Sequence, residues 1–278
     1  MIKRFFSYIS VNPLLAIFCF AFFLFGGFLI WRIGCFFFWD PMDVTIAQAC
    51  GETQCYQSVL LLTGEVKSDS AWVTKRRITQ KISSHPEIDT ICIASNGGVV
   101  SEAMDIADSI YDRGFNTCLA SSYVLASDSQ KRVDGLCQSA CVWMVMAGKQ
   151  RISFDDKLKL GFHGARSHQG GKPAPQDLVF FKDRIDAYKG HGESAAQDAE
   201  KLKRLSIWAF KQGFEPKTTD CTAHELRQNY PYFTRTQEQS DAPAISCGLP
   251  PPEEVIENLP PQSQCLLDKI LTAMRKWL

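Results

Sequence analysis

From Leu14 to Trp39 the chain is almost wholly apolar, and Arg32 is the one charge in the run. A bilayer core needs about 20 apolar residues in a helix, and no face of this run is polar enough to meet water. The run predicts a transmembrane helix, with Arg32 reaching toward the far interface and Phe36 to Trp39 lying in it. Lys3 and Arg4 precede it, while Asp40 and Asp43 follow. The excess of positive charge on the N-terminal side places that end in the cytoplasm and the rest of the chain outside. Ala47-Gln48-Ala49 has the small-x-small form of a cleavage site, so a cleaved signal peptide is the rival reading. The run exceeds the roughly 7–15 apolar residues of a signal peptide, which favours a retained anchor.

Behind the anchor, 278 residues leave room for one sizeable core. Lys plus Arg and Asp plus Glu are both 30, so the formal net charge is zero. No basic stripe marks a nucleic-acid partner. Eleven cysteines are many for an intracellular enzyme, and no C-x-x-C pair suggests zinc. Outside the cytoplasm some of them would pair. Cys50–Cys55 and Cys221–Cys247 are candidate pairs, and Cys137 has Cys118 or Cys141 as candidate partners.

The sequence divides into a cytoplasmic stub and anchor over 1–39, a juxtamembrane linker over 40–57, a folded domain over 58–249, and a proline-rich linker with a C-terminal amphipathic helix over 250–278. Within the domain, Ser58 to Gly64 and Thr90 to Ser95 read as apolar strands, each followed by a helical pattern, at Ser70 to Ser84 and Ser101 to Arg113. Gly114 is placed to end the second helix in the left-handed conformation. Phe115 to Ala120, Arg151 to Phe154 and Lys159 to His163 are further strands. Ser121 to Gly135 is polar and reads as an excursion from the core, and Ser139 to Ala147 as a buried helix. Alternation of strand and helix predicts an α/β fold with a mostly parallel sheet. On such sheets ligands sit at the carboxyl ends of strands, where Asn96-Gly97-Gly98 falls.

Ser139 opens the buried helix within Cys137-Gln-Ser-Ala-Cys141. A serine there is ordinarily an N-cap. The same position offers unbonded backbone N–H groups that can hold an oxyanion, and a serine becomes a nucleophile once a base takes its proton. Of the five histidines, His163 directly ends a strong strand pattern.

Taken together, Ser95-Asn-Gly-Gly98 after a strand, Gln138-Ser139-Ala140 opening a buried helix, and Gly161-Phe-His163-Gly at a strand end, 24 residues after Ser139, resemble the Clp protease proteolytic subunit (ClpP) family. A branch of membrane-anchored or exported relatives, with C-x-S-A-C and L-G-F-H segments, looks closer still. The resemblance covers roughly Leu60 to Leu249. It implies the ClpP/crotonase-like fold of repeated β-β-α units, no cofactor, a peptide or protein substrate, and a homo-oligomer. It also implies Ser139 as nucleophile, His163 as general base, and the N–H groups of Gly98 and Ala140 as oxyanion hole. Three departures stand out. Asn96 replaces the family proline, the segment from Gly98 to Ser139 is longer, and the family aspartate has no clear counterpart. Asn229 is the candidate third member, with Asp220 the carboxylate alternative.

The leading expectation is therefore a membrane-anchored serine peptidase. A catalytically weak or inactive peptide-binding relative is the alternative. Two others carry less support: a serine–lysine site using Lys149 or Lys159, and Cys137 or Cys141 as the nucleophile.

Overall fold

The computed structural model describes residues 41–164, 188, 195–212, 218–238 and 247–255, together with Gly26. The chain separates into two units, Met1–Asp40 and Pro41–Leu278. In the first, only helical Gly26 is described. The apolar run expected as the anchor and the expected C-terminal amphipathic helix lie outside the described residues. Among the described residues no helix is long and apolar enough to cross a membrane.

The second unit is built on a mixed sheet whose central strands read most clearly in the sequence. Strand β2 (Cys55–Thr63) is buried from Val59 to Leu62. Leu60 and Leu62 face one side of the sheet, packing with Ile91, Ile93, Ile106 and Ile110. Val59 and Leu61 face the other, with Cys92, Cys118, Tyr123 and Phe154. Strand side chains point alternately to opposite faces, so one strand feeds both halves of the core. Strand β3 (Thr90–Ala94) is buried throughout, as a strand covered on both faces must be. Helices α1 (Ala71–Ser84) and α2 (Val100–Asp112) supply apolar stripes, through Val73 and Ile78 on the first and Ala103, Ile106, Ala107 and Ile110 on the second. Gly114 has φ 68°, the left-handed stop expected of it.

Strands β4 (Asn116–Leu119), β8 (Arg151–Ser153) and β11 (Arg235–Thr236) continue the parallel half of the sheet beyond β3. The other half is antiparallel. It consists of β1 (Asp43–Cys50), β5 (Ser122–Leu125) and β6 (Asp128–Asp134), giving the order β11-β8-β4-β3-β2-β1-β5-β6. Two sequence expectations change here. Within the stretch expected as a linker, residues 43–50 form β1 and residues 55–57 begin β2. The polar stretch Ser121 to Gly135 is a hairpin that extends the sheet, with β5 paired to β1. Its outer strand β6 is almost wholly exposed, so it carries no apolar signal. Such a charged edge resists further strand addition.

The β1–β2 turn is fixed by the Cys50–Cys55 disulfide and by Glu238. The Glu238 carboxylate accepts from the Glu52 and Thr53 amides and from the Thr53 and Tyr56 hydroxyls. Burial pushes the Glu238 carboxyl up, but these hydrogen bonds outweigh it and hold it below its ordinary value.

A second sheet of three strands lies in the order β10 (Thr219–Thr222), β9 (Lys159–Phe162), β7 (Cys137–Gln138). Strand β7 leads into the buried helix α3 (Ala140–Met146), all seven residues of which are buried. Helix α4 (Ala195–Lys211) packs Trp208 edge-on against Phe162 of β9, with ring centroids 5.6 Å apart. Helix α5 (Ala223–Asn229) follows β10 and is capped by a reciprocal Thr222–Glu225 box. Glu225 also accepts from the Cys247 amide at 2.8 Å, beside the Cys221–Cys247 disulfide.

Candidate active site

Three chain segments end together. The end of β3 bridges to β7 through Ser95 and Cys137, in parallel. The Ser95 amide donates to Leu136 O at 2.8 Å, and the Gln138 amide donates to Ser95 O at 3.0 Å. Strand β7 in turn runs parallel to β9, with Cys137 beside Leu160 and Gln138 beside Gly161. The Ser139 amide extends this ladder by donating to Gly161 O at 2.8 Å. Asn96-Gly97-Gly98, Ser139 and His163 therefore leave the carboxyl ends of three neighbouring parallel segments. Such ends leave room for a ligand.

Ser139 is one of two non-glycine residues with positive φ among the described residues, at φ 55° and ψ −125°. A side chain in that region costs about 1–3 kcal/mol and persists only where its surroundings enforce it. The side chain makes no capping hydrogen bond to α3. This disposes of the ordinary N-cap explanation, which also requires an extended backbone. A sharp strand-to-helix turn of this kind instead lifts a hydroxyl clear of the helix.

Gly97 presses on this turn. A Cβ on Gly97 would sit 2.6 Å from Ser139 Cβ, 2.7 Å from Ala140 N and 2.7 Å from Gln138 O. Gly98 has φ 133°, and a Cβ there would run into Val66 O. Sequence reasoning named Gly98 for its amide and missed Gly97 as the residue whose lack of a side chain admits Ser139. Doubled glycine was the available signal. The turn is braced by Ser95, whose hydroxyl donates to Gly64 O at 2.6 Å and accepts from the Gly97 amide at 3.0 Å. Gly97 O accepts from the Val66 amide, and Val66 O from the Val99 amide. Among the described residues, the N–H groups of Gly98 and Ala140 have no hydrogen-bond partner.

His163 is half-buried, and its Nδ1 lies 2.7 Å from Gly164 O. A carbonyl accepts only, so this contact puts a proton on Nδ1, and in the neutral ring Nε2 is then the acceptor. No hydrogen bond between Ser139 and His163 exists among the described residues.

The structure places the candidate third members as follows. Asn229 is exposed at the end of α5 and makes no bond to His163. It sits where α5 leaves the sheet, beyond the Thr222–Glu225 cap that fixes the other end of the helix. Asp220 is exposed on β10, beside Gly161 in the ladder, and accepts from the Thr218 hydroxyl at 2.6 Å. The lysine alternatives fail on placement. Lys149 lies beyond the opposite end of α3 from Ser139, and Lys159 begins the strand that His163 follows; both are exposed.

The two cysteines flanking Ser139 are bonded to each other, which removes either as a thiol nucleophile. Cys118 is bonded to Cys92, its register partner across β3 and β4, and not to Cys137. Sequence spacing could not show that pairing, because it depends on which strands are neighbours. Among the described residues no cluster of side chains is arranged to hold a metal ion.

No protein-family model and no curated protein sequence matches the chain. Among solved structures, it is similar to the ClpP protease catalytic domain from Plasmodium falciparum, at 15% sequence identity over 66% of this chain and 86% of that one, with a TM-score of 0.41.

Proposed function

We propose that this chain is a serine peptidase that uses Ser139 as nucleophile and His163 as base. The observation that carries the reading is the left-handed backbone of Ser139 at a strand-to-helix turn, with its side chain released from capping. Strain of this kind is kept where it serves a reaction. Nε2 of His163 takes the hydroxyl proton as Ser139 Oγ attacks the scissile carbonyl. The new oxyanion accepts from the Gly98 and Ala140 N–H groups. His163 then passes the proton to the leaving amine, and water releases the acyl group by the same steps in reverse. Gly164 O orients the imidazole in place of a carboxylate. No cofactor is required.

The anchor over 14–39 would tether the domain on the outer face of a membrane, as a peptidase acting on peptides or proteins there, in a homo-oligomer. The four disulfides among the described residues support an oxidising compartment. One observation favours the alternative, a slow or inactive peptide-binding protein: Nδ1 of His163 meets a neutral carbonyl and no carboxylate. Such a partner stabilises the imidazolium less than a carboxylate does.

A fluorophosphonate probe separates the two. Stoichiometric labelling of the oxidised full chain, mapped to Ser139 and lost in Ser139→Ala, supports the peptidase. A folded, oxidised protein that takes up no probe is the binding protein.

A further inference from the structure

We infer that the Cys137–Cys141 disulfide is a positioning element for Ser139, holding the strained turn in the geometry that makes the serine reactive. This rests on the peptidase reading. The bond joins the first residue of β7 to the second residue of α3, with Ser139 midway between them. It therefore spans the point where the backbone passes from β7 into α3 through the positive φ of Ser139.

The other restraints on that turn are unevenly placed. On the strand side, the Gln138 and Ser139 amides are tied to Ser95 O and Gly161 O. On the helix side, the Val142 amide reaches back to Ser139 O at 3.1 Å. The side chain that would normally fasten the start of a helix makes no such bond. Left to itself, a serine with φ 55° lowers its energy by relaxing to negative φ. That rotation would reorient the Ser139 side chain and the Ala140 N–H that follows it. A covalent link from β7 to the first turn of α3 opposes it.

Global stabilisation does not account for the bond as well. A cross-link restrains the unfolded chain more as its loop grows. Cys137 and Cys141 are 4 apart in sequence, whereas the Cys92–Cys118 and Cys221–Cys247 pairs each span 26. The shortest loop in the domain thus encloses the candidate nucleophile. Both of its cysteines are buried, at 1% and 0% exposure, so the bond is sheltered and is suited to holding a shape.

The test compares two disulfide deletions in the oxidised full chain, Cys137→Ala/Cys141→Ala and Cys92→Ala/Cys118→Ala. The readouts are the rate of fluorophosphonate labelling at Ser139 and the melting midpoint. Loss of the short bridge should slow labelling about 10- to 100-fold, the scale expected when a reacting atom is displaced by an ångström or less. Loss of Cys92–Cys118 should lower the midpoint more, yet leave labelling at the wild-type rate. Equal labelling by wild type and both variants overturns the inference. So does equal slowing of both variants, which would mark a general loss of stability. If Cys137→Ala/Cys141→Ala does not fold, Cys137→Val/Cys141→Ala replaces it. Failure of that variant too makes the bond a folding cross-link and overturns the positioning role. A wild type that takes up no probe instead overturns the peptidase reading beneath it.

Discussion

The eight-stranded sheet and the three-stranded sheet are held together by different means. In the larger one, β2 and β3 alternate or fill with apolar side chains and feed a core on both faces. Its central members order themselves by burial. In the smaller one, β7 has two residues and β9 and β10 four each. Too little apolar area lies in such strands to fix them. They depend on the buried helix α3, on Trp208 against Phe162, and on the Cys137–Cys141 and Cys221–Cys247 bonds. Burial builds the frame, while local covalent and hydrogen-bonded ties set the candidate site. Substitutions in the two sheets should accordingly separate stability from reactivity.

The largest stability effect is expected at Arg151 of the large sheet, which is 2% exposed. Its guanidinium donates to Tyr232 O at 2.6 Å, Pro231 O at 2.8 Å and Gly148 O at 3.4 Å. Arg151→Met removes the donors from three carbonyls and should cost about 3 kcal/mol or more in urea denaturation. Labelling of Ser139 in the protein that remains folded should change little.

Gly97→Ala should do the reverse. The new methyl meets Ser139 Cβ and backbone atoms, none of which can yield cheaply. A stability loss of about 2 kcal/mol is expected, with labelling slowed about 100-fold. Gly114→Ala is the companion. Its φ is also positive, but nothing lies within 4 Å of the new methyl. It should cost about 1 kcal/mol and leave labelling unchanged. Equal labelling losses in the two variants would erase the distinction between the site and its frame.

A smaller change of opposite sign is expected at Ser139. Glycine tolerates positive φ, so Ser139→Gly should raise stability by about 0.5–1 kcal/mol after its own entropic cost. Ser139→Ala retains a Cβ and gains none of this. Thermal melts of the pair check it, and a less stable Ser139→Gly would mean the turn is not strained.

The smallest effect belongs to Glu238 and depends on pH. Its carboxyl titrates below the ordinary value in the folded chain. Its contribution is therefore present above the unfolded value, about 4.3, and is lost as pH falls through the lower folded value. Between pH 6 and pH 3 the wild-type melting midpoint should fall further than that of Glu238→Gln.

Legibility in the sequence followed the same division. Strand β3, helices α1 and α2 and the Gly114 stop were readable because burial writes an apolar period into the chain. The β5–β6 hairpin was not, since β6 is nearly all exposed and the pairing of β5 with β1 is tertiary. Strand β10 and helix α5 were missed because four and seven residues carry too little periodicity. At the site, Ser139, His163 and the Asn96-Gly97-Gly98 turn could be named from residue types and spacing. The positive φ of Ser139 could not, because nothing in the local composition requires it. Whether Asn229 reaches His163 could not be read for a related reason. Proximity there depends on where α5 leaves β10, which a one-dimensional spacing does not encode.

The rate of fluorophosphonate acylation at Ser139 in His163→Ala, against wild type, tests the pairing of the two residues most directly. General-base assistance is worth roughly 10²–10⁴-fold. A loss of that size, with the four disulfides intact by peptide mapping and the melting midpoint near wild type, is the expected result. Labelling at the wild-type rate in His163→Ala would contradict the account, since it would leave Ser139 reactive without the base at the end of β9.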